Sequence, residues 1–412
     1  MNKKRVVITG MGCVSPIGNS IQVFTSNIKN GTNGVDEISL FDTDNFNIKI
    51  AAEVKNLDFE SYIERKELSR MDRFCAFGVI AADEAILNSG LTNFKFNAER
   101  VGVIIGSGIG GIETLTTNHS RLLRSPRRVS PLFVPMMITD IVPGHVSMRY
   151  GFKGPNYSVV SACATATHAI GDAFRMIKYG DADVIVSGGT EASIVPISVA
   201  GFANMKALSK NPNPDTASRP FDKNRDGFVL GEGAGILVLE EYNHAKRRNA
   251  NILGEICGYG ATGDAYHLTS PAPNGEGAAR AMKIAINDAN INYTNIDYIN
   301  AHGTSTPLND KNESKAIKSV FSDHIDKLLV SSTKSMTGHL LGAAGGVEAI
   351  ASLVALNEGF IPPTINYKNP DEECDLNYVV NHSIKKDINY AMSNTFGFGG
   401  HNGVLIFKRF SK

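Results

Sequence analysis

A chain of 412 residues has room for two domains, or for two similar halves sharing one core. Hydrophobic residues make up 42 % and charged residues 20 %, which excludes a disordered or fibrous polymer. The 41 Lys and Arg balance the 41 Asp and Glu, so overall charge recruits neither nucleic acid nor a membrane surface, and only local basic patches can matter.

Met1 is followed almost at once by the strand-like Val6-Val7-Ile8, leaving no room for a signal peptide, and no apolar run approaches the ~18 residues of a membrane span. The expected compartment is cytoplasmic. Cys13, Cys75, Cys163, Cys257 and Cys374 are odd in number, widely spread and without a CxxC pair, so they read as reduced thiols with no structural metal.

A helix-like stretch from Phe74 to Ser89 precedes the strand Val101-Gly-Val-Ile-Ile105. The next residues, Gly106-Ser-Gly-Ile-Gly-Gly111, satisfy the letters of GxGxxG, but the region about twenty positions on is Pro126-Arg-Arg-Val-Ser-Pro131, with no acid to hold a ribose. A tight, close-packed turn is expected there.

At Val160-Ser-Ala-Cys163-Ala-Thr-Ala a strand ends and a small-residue helix opens. A thiol at that junction faces unpaired N–H groups and the positive helix end, which should lower its pKa and supply an oxyanion site. The strand Asp183-Val-Ile-Val-Ser187 follows. Asp222-Lys-Asn-Arg-Asp226-Gly227 opens like a calcium loop, but its twelfth position is Gly233, so a turn braced by Asp and Arg is expected.

Two histidines stand beside glycine in polar, small-residue settings: Asn300-Ala-His302-Gly-Thr and Lys334-Ser-Met-Thr-Gly-His339. His119, His244, His324 and His382 lie in polar surroundings that read as surface, and His168 as a packed helix residue. Interleaved strands and helices indicate an α/β protein with sheets buried on both faces.

A faint internal repeat is also visible. Val159-Val-Ser-Ala-Cys163 laid on Val330-Ser-Ser-Thr-Lys334 continues with Ser161 on Ser332, His168 on His339 and Gly171 on Gly342. Each stretch leads to a glycine-rich hairpin, Gly231–Leu239 and Gly397–Phe407, and the join falls near residue 252, giving halves 1–251 and 252–412.

These stretches, with Pro220-Phe-Asp-Lys-Asn-Arg-Asp-Gly, the run from Ala301 to Asp310, Ser332 to Gly346 and Ser393 to Gly403, resemble end to end the β-ketoacyl-[acyl carrier protein] synthases of the elongating, type II kind. The resemblance implies a thiolase fold: duplicated βαβαβαββ halves in a five-layer α-β-α-β-α stack, assembled as a homodimer. It implies Cys163 as nucleophile, His302 and His339 as decarboxylation histidines, and oxyanion donors at Cys163 and Phe398. Phe398, among Gly397, Gly399 and Gly400, would also gate the site.

By the same resemblance Lys334, paired with Glu348, supports the electrostatics, and Thr304 and Thr306 contact pantetheine. Ile109 and Phe202 border the acyl pocket, with Phe133 reaching it from the partner subunit. Lys66, Arg70, Arg127, Arg128 and Lys206 form a docking patch for acyl carrier protein, which carries the substrates, and no other cofactor is implied. A silent chain-length subunit would lack Cys163, a thiolase would use a second cysteine near its C-terminus, and a cysteine hydrolase would need no carrier protein.

Overall fold

The computed structural model describes residues 3–411. Ten strands form the main sheet: β1 (Val6–Val14), β2 (Val101–Gly106), β3 (Asn156–Tyr157), β4 (Val184–Glu191), β5 (Gly233–Glu241), β6 (Gly254–Gly263), β7 (Tyr298–Asn300), β8 (Leu329–Ser331), β9 (Tyr390–Gly397) and β10 (His401–Lys408). Their order across the sheet is β8-β7-β9-β10-β6-β1-β5-β4-β2-β3. Read outward from the middle, both halves run first, last, fourth, second, third. Both also have two antiparallel pairings followed by two parallel ones.

The two halves meet where Val6–Ile8 of β1 pairs with Gly254–Ile256 of β6. Helices α1 (Arg73–Ser89), α2 (Thr165–Tyr179), α3 (Glu276–Ala289), α4 (Pro307–Phe321) and α5 (Ala344–Glu358) set the layers. α1 covers β1, β4 and β5 on one outer face, while α3, backed by α4, covers β6 and β10 on the other. α2 and α5 pack against each other and against strands of both halves, forming the middle layer of an α-β-α-β-α stack.

Helix boundaries follow from capping chemistry. Asp72 accepts the Phe74 N–H at the start of α1, and Gly90, Gly180 and Gly359, all left-handed, end α1, α2 and α5. α5 is buried for all but its last two residues, and Val347, Ile350, Leu353 and Leu356 each contribute about 1.5–3 kcal/mol by burial. Glycine lets α5 sit this close: a Cβ on Gly346 would fall 2.3 Å from the Gly235 carbonyl oxygen, and one on Gly345 would fall 2.2 Å from Thr167 Oγ1.

The structure corrects the register of the internal repeat. Ala162–Ala164 and Leu341–Ala343 are matching 3₁₀ turns entered at positive φ, +50° at Ala162 and +46° at Leu341, and each leads directly into a 15-residue helix. The counterpart of Cys163 is therefore Gly342, not Lys334, and His168 does not match His339. Extra residues between β8 and α5, among them the short helix Lys334–Thr337 and His339, open the gap that the sequence alignment ran straight through.

The two decoy motifs are structural. Ser107, Gly108 and Ile109 of the GxGxxG stretch all donate to the carboxylate of Glu191. Asp222 accepts the N–H groups of Asn224, Lys368 and Asn369, and Arg225 bonds Asp371 and the Thr306 and Pro307 carbonyls. His244 is a correction: it is buried, with Nδ1 2.6 Å from Glu240 Oε1, and Arg248 bonds the same carboxylate.

Candidate active site

Cys163 sits in the turn at the start of α2, only 6 % exposed. The left-handed Ala162 before it is a strained position for a residue with a side chain. His339 Nε2 lies 3.1 Å from the Cys163 sulfur, and the His302 ring is 5.3 Å from the His339 ring and nearly perpendicular to it. The edges of Phe228 and Phe396 close on His339 and His302 respectively.

Each histidine is held from behind. His302 ends the segment after β7, and its N–H and that of Gly303 donate to the two oxygens of Glu313 on α4, both at 2.8 Å. Lys334 Nζ lies 3.3 Å from His302 Nδ1 and is bonded to Glu348 of α5. With Lys334 as donor, His302 Nδ1 is the acceptor and the proton of the neutral ring resides on Nε2. His339 Nδ1 is buried without a partner, so its tautomer follows whatever faces Nε2.

Burial, then the charge of Lys334, holds both imidazoles well below the ordinary histidine range, so they are neutral at pH 7. Burial pushes Glu313 up to about 7 against its two N–H donors. The cysteine runs against the expectation from its sequence setting: burial pushes its thiol up to about 12, despite Lys334 and the nearby Phe398 N–H. A helix end supplies at most about 2 kcal/mol, which moves a thiol by about 1.5 in pH and does not offset that burial. Cys163 is therefore a protonated thiol at rest.

The three residues open on a cavity of about 340 Å³, lined also by Thr304, Thr306, Phe396, Phe398 and Asn402. Lys206 and Met205 stand at its lining from another loop. The loop carrying Phe398 is glycine on both sides, with Gly399 and Gly400 left-handed, and is tied to residues 264–268 by Gly399 N–H to the Leu268 carbonyl and Asp264 N–H to the Gly400 carbonyl. Gly397 packs on the Cys163 turn so closely that a Cβ there would lie 3.1 Å from the Cys163 nitrogen.

Other residues singled out by the sequence fall outside this cavity. Phe202 packs in the apolar cluster that contains Cys163 and Leu341, stacking edge-on with Phe228. Ile109 is 36 % exposed on its glycine turn and Phe133 is half-buried at the start of a short helix. Lys66, Arg70, Arg127 and Arg128 are exposed and do not line the cavity. Two acids that the sequence did not single out are Glu191, a lone acid in the small-residue run 188–193, and Glu313, which stands among the charged and polar residues Asp310, Lys311 and Lys315 with no signal of its own. No group of three or more His, Cys, Asp or Glu able to hold a metal occurs among the described residues, and no helix among them is long and apolar enough to cross a membrane.

A cysteine at a helix start, facing two neutral histidines between duplicated α/β halves, defines a thiolase-fold condensing enzyme of the acyltransferase class. The profile described as "Beta-ketoacyl synthase, N-terminal domain" matches residues 3–245, and that described as "Beta-ketoacyl synthase, C-terminal domain" matches residues 253–368. The chain belongs to the β-ketoacyl synthase family. It is 53 % identical over 408 residues, 99 % of either chain, to a 3-oxoacyl-[acyl-carrier-protein] synthase 2 of Staphylococcus aureus. Identity is 50 % to the protein of that name from Synechocystis, over 100 % of this chain and 99 % of that one.

Among solved structures, a β-ketoacyl synthase from Burkholderia phymatum superposes with a TM-score of 0.92 at 35 % identity, covering 99 % of this chain and 100 % of that one. A type II polyketide ketosynthase, solved in complex with its acyl-carrier protein, superposes with a TM-score of 0.91 at 33 % identity over 99 % of this chain and 100 % of that one.

Proposed function

We propose that this enzyme elongates an acyl chain by two carbons, condensing a malonyl unit on acyl carrier protein with an acyl group held on Cys163. The observation that carries the reading is the contact of Cys163 sulfur with His339 Nε2 at 3.1 Å, with His302 on the same cavity. The sulfur attacks the primer thioester, the carbon–sulfur bond to pantetheine breaks, and the thiol proton passes to the departing sulfur with His339 as the nearest base. The N–H groups of Cys163 and Phe398 hold the tetrahedral oxyanion.

Malonyl carrier protein then binds, with Thr304 and Thr306 along its pantetheine arm. The bond to the carboxylate breaks, carbon dioxide leaves, and the electron pair becomes an enolate whose oxygen accepts hydrogen bonds from Nε2–H of His302 and His339. The enolate carbon attacks the acyl-Cys163 carbonyl, the sulfur departs, and one proton from solvent restores the thiol. Neutral rings suit this step, because they donate to the oxyanion and no proton need be lost first.

Phe398, on its glycine-rich loop, gates the second substrate; Ile109, Phe202 and the partner subunit's Phe133 border the acyl chain. Lys66, Arg70, Arg127, Arg128 and Lys206 meet the acidic carrier protein. The chain divides into halves 1–251 and 252–412, supported by the repeated strand order, and acts as a cytoplasmic homodimer with no cofactor beyond the carrier's pantetheine. Incubation with acyl carrier proteins of graded chain length plus malonyl carrier protein tests the activity: β-ketoacyl products two carbons longer are expected, and their absence with every primer refutes it.

A further inference from the structure

The pseudo-symmetric halves place two residues in equivalent positions with opposite chemistry. Glu191 ends the eight-residue strand β4 and Gly397 ends the eight-residue strand β9. Each faces the helix-opening turn of the opposite half. At Gly397 an added Cβ would lie 3.1 Å from the Cys163 nitrogen; at the equivalent place, Glu191 Oε2 accepts the N–H of Gly342, the counterpart of Cys163, at 3.0 Å. The absence of a side chain at 397 leaves the Cys163 amide open to substrate, whereas the equivalent amide in the other half, that of Gly342, is taken by Glu191.

Both oxygens of that carboxylate are occupied. The fully buried Glu191 carboxylate also accepts Gly108 N–H at 2.9 Å, Ile109 N–H at 3.2 Å and Ser107 Oγ–H at 2.9 Å. Four donors converge on two oxygens, and three of them belong to the turn that carries Ile109. The fit admits no spare volume, since a Cβ on Gly342 would lie 2.3 Å from the Gly108 nitrogen and 2.8 Å from Glu191 Oε2.

We propose that Glu191 acts as a built-in anion in the second copy of the oxyanion site, and that through it the enzyme positions Ile109 against the acyl chain. The second clause rests on the reading of Ile109 as a border of the acyl pocket. Glu191 touches no reacting atom and is a positioning residue. An unanchored turn would leave short primers nearly unaffected, because they do not reach it, and would slow long ones.

The test uses the full-length enzyme, Glu191→Ala and Glu191→Gln, single-turnover acyl transfer to Cys163 from carrier-linked primers of increasing length, and thermal midpoints in sodium formate or sodium chloride. Glu191→Ala is expected to slow long-primer transfer about tenfold, the scale of removing a charged partner from buried donors, and formate but not chloride should restore both rate and midpoint. Equal effects of the two salts overturn the proposal. If the alanine variant does not fold, Glu191→Gln decides: it keeps the shape but turns a donor toward donors, so long-primer transfer should fall, and wild-type behaviour overturns the proposal. An unchanged chain-length profile in Ile109→Ala, with formate rescue of Glu191→Ala intact, supports the built-in anion and overturns only the acyl-pocket reading of Ile109.

Discussion

Lys334 Nζ stands 3.3 Å from His302 Nδ1 while bonded to Glu348, so one buried ammonium both fixes a histidine tautomer and neutralises a carboxylate inside the middle layer. A buried ion pair adds little net stability, but removing one partner leaves the other charged and unpaired. Lys334→Met should therefore lower stability by about 3–5 kcal/mol, measured by denaturant titration. Adding Glu348→Leu should recover most of that loss without restoring malonyl decarboxylation, since His302 would still lack its donor. Recovery of both together would show that the pair is only structural.

The pH behaviour of the two half-reactions should differ. Both histidines are already neutral well below the ordinary imidazole range and add no bend to decarboxylation from pH 6.5 to 8, so a bend there would report Glu313, pushed up to about 7 behind His302. Their lowered values also contribute to stability: the unfolded chain binds protons at these sites below about pH 6.5 that the folded one refuses, so that contribution falls as pH drops, while Glu313, raised to about 7, takes its proton in the folded state first and opposes it. Cys163, pushed up to about 12, should be alkylated by iodoacetamide at a rate rising about tenfold per pH unit across the same range. A plateau by pH 7 would mean that the helix end and Lys334 outweigh burial.

At Gly397 the expected effect is on the steps that pass through a tetrahedral oxyanion at Cys163, acyl transfer first among them. The Cβ of Gly397→Ala would lie 3.0 Å from the Ser161 carbonyl oxygen and 3.1 Å from the Cys163 nitrogen, close enough to displace the amide proposed to receive the oxyanion. Acyl transfer should fall about a hundredfold, the cost of one lost oxyanion donor, with a much smaller change in thermal midpoint. Normal transfer kinetics would remove the Cys163 amide from the mechanism.

Much of this site was legible because its chemistry needs small neighbours. Cys163 and His302 stand among Ala, Gly, Ser and Thr, and His339 follows Thr337 and Gly338 although Leu340 and Leu341 come next, where an ordinary core residue would have large apolar neighbours on both sides. What stayed hidden depends on chain crossings. Glu313 and Glu191 accept backbone N–H groups, which carry no sequence signature, and in the case of Glu191 from residues more than eighty positions away. His244 read as surface because its polar neighbours Glu240 and Arg248 are its partners in a buried network. The Cys163 shift depends on burial by α5 and the second half, which the segment around it does not encode.

Charge at the proposed docking patch separates binding from chemistry. Arg127 and Arg128 lie exposed on a short 3₁₀ turn outside the cavity, so reversing both should leave the reacting groups untouched. The double variant Arg127→Glu, Arg128→Glu should raise KM for carrier-linked substrates and flatten its dependence on salt, with little effect on short pantetheine thioesters. Equal losses on both substrate types would count against docking there.

Cys163→Gln divides the two half-reactions most cleanly. Glutamine accepts no acyl group, so transfer and elongation should vanish. Its planar amide nevertheless carries a carbonyl near where an acyl-thioester carbonyl would lie, and that oxygen fills the oxyanion site as an acylated enzyme does. His302 and His339 keep their supports, Glu313 and Lys334 behind the first and the Phe228 edge beside the second. Malonyl carrier protein should still lose carbon dioxide, leaving acetyl carrier protein, and labelled carbon dioxide release should fall sharply once His302→Ala or His339→Ala is added. The supports differ, so the losses should too: His302→Ala also strands Lys334 beside an empty space and should lower thermal stability, whereas His339→Ala removes a ring whose Nδ1 has no partner and should cost less. Elongated product from the single variant, or decarboxylation indifferent to both histidines, would overturn this division of labour.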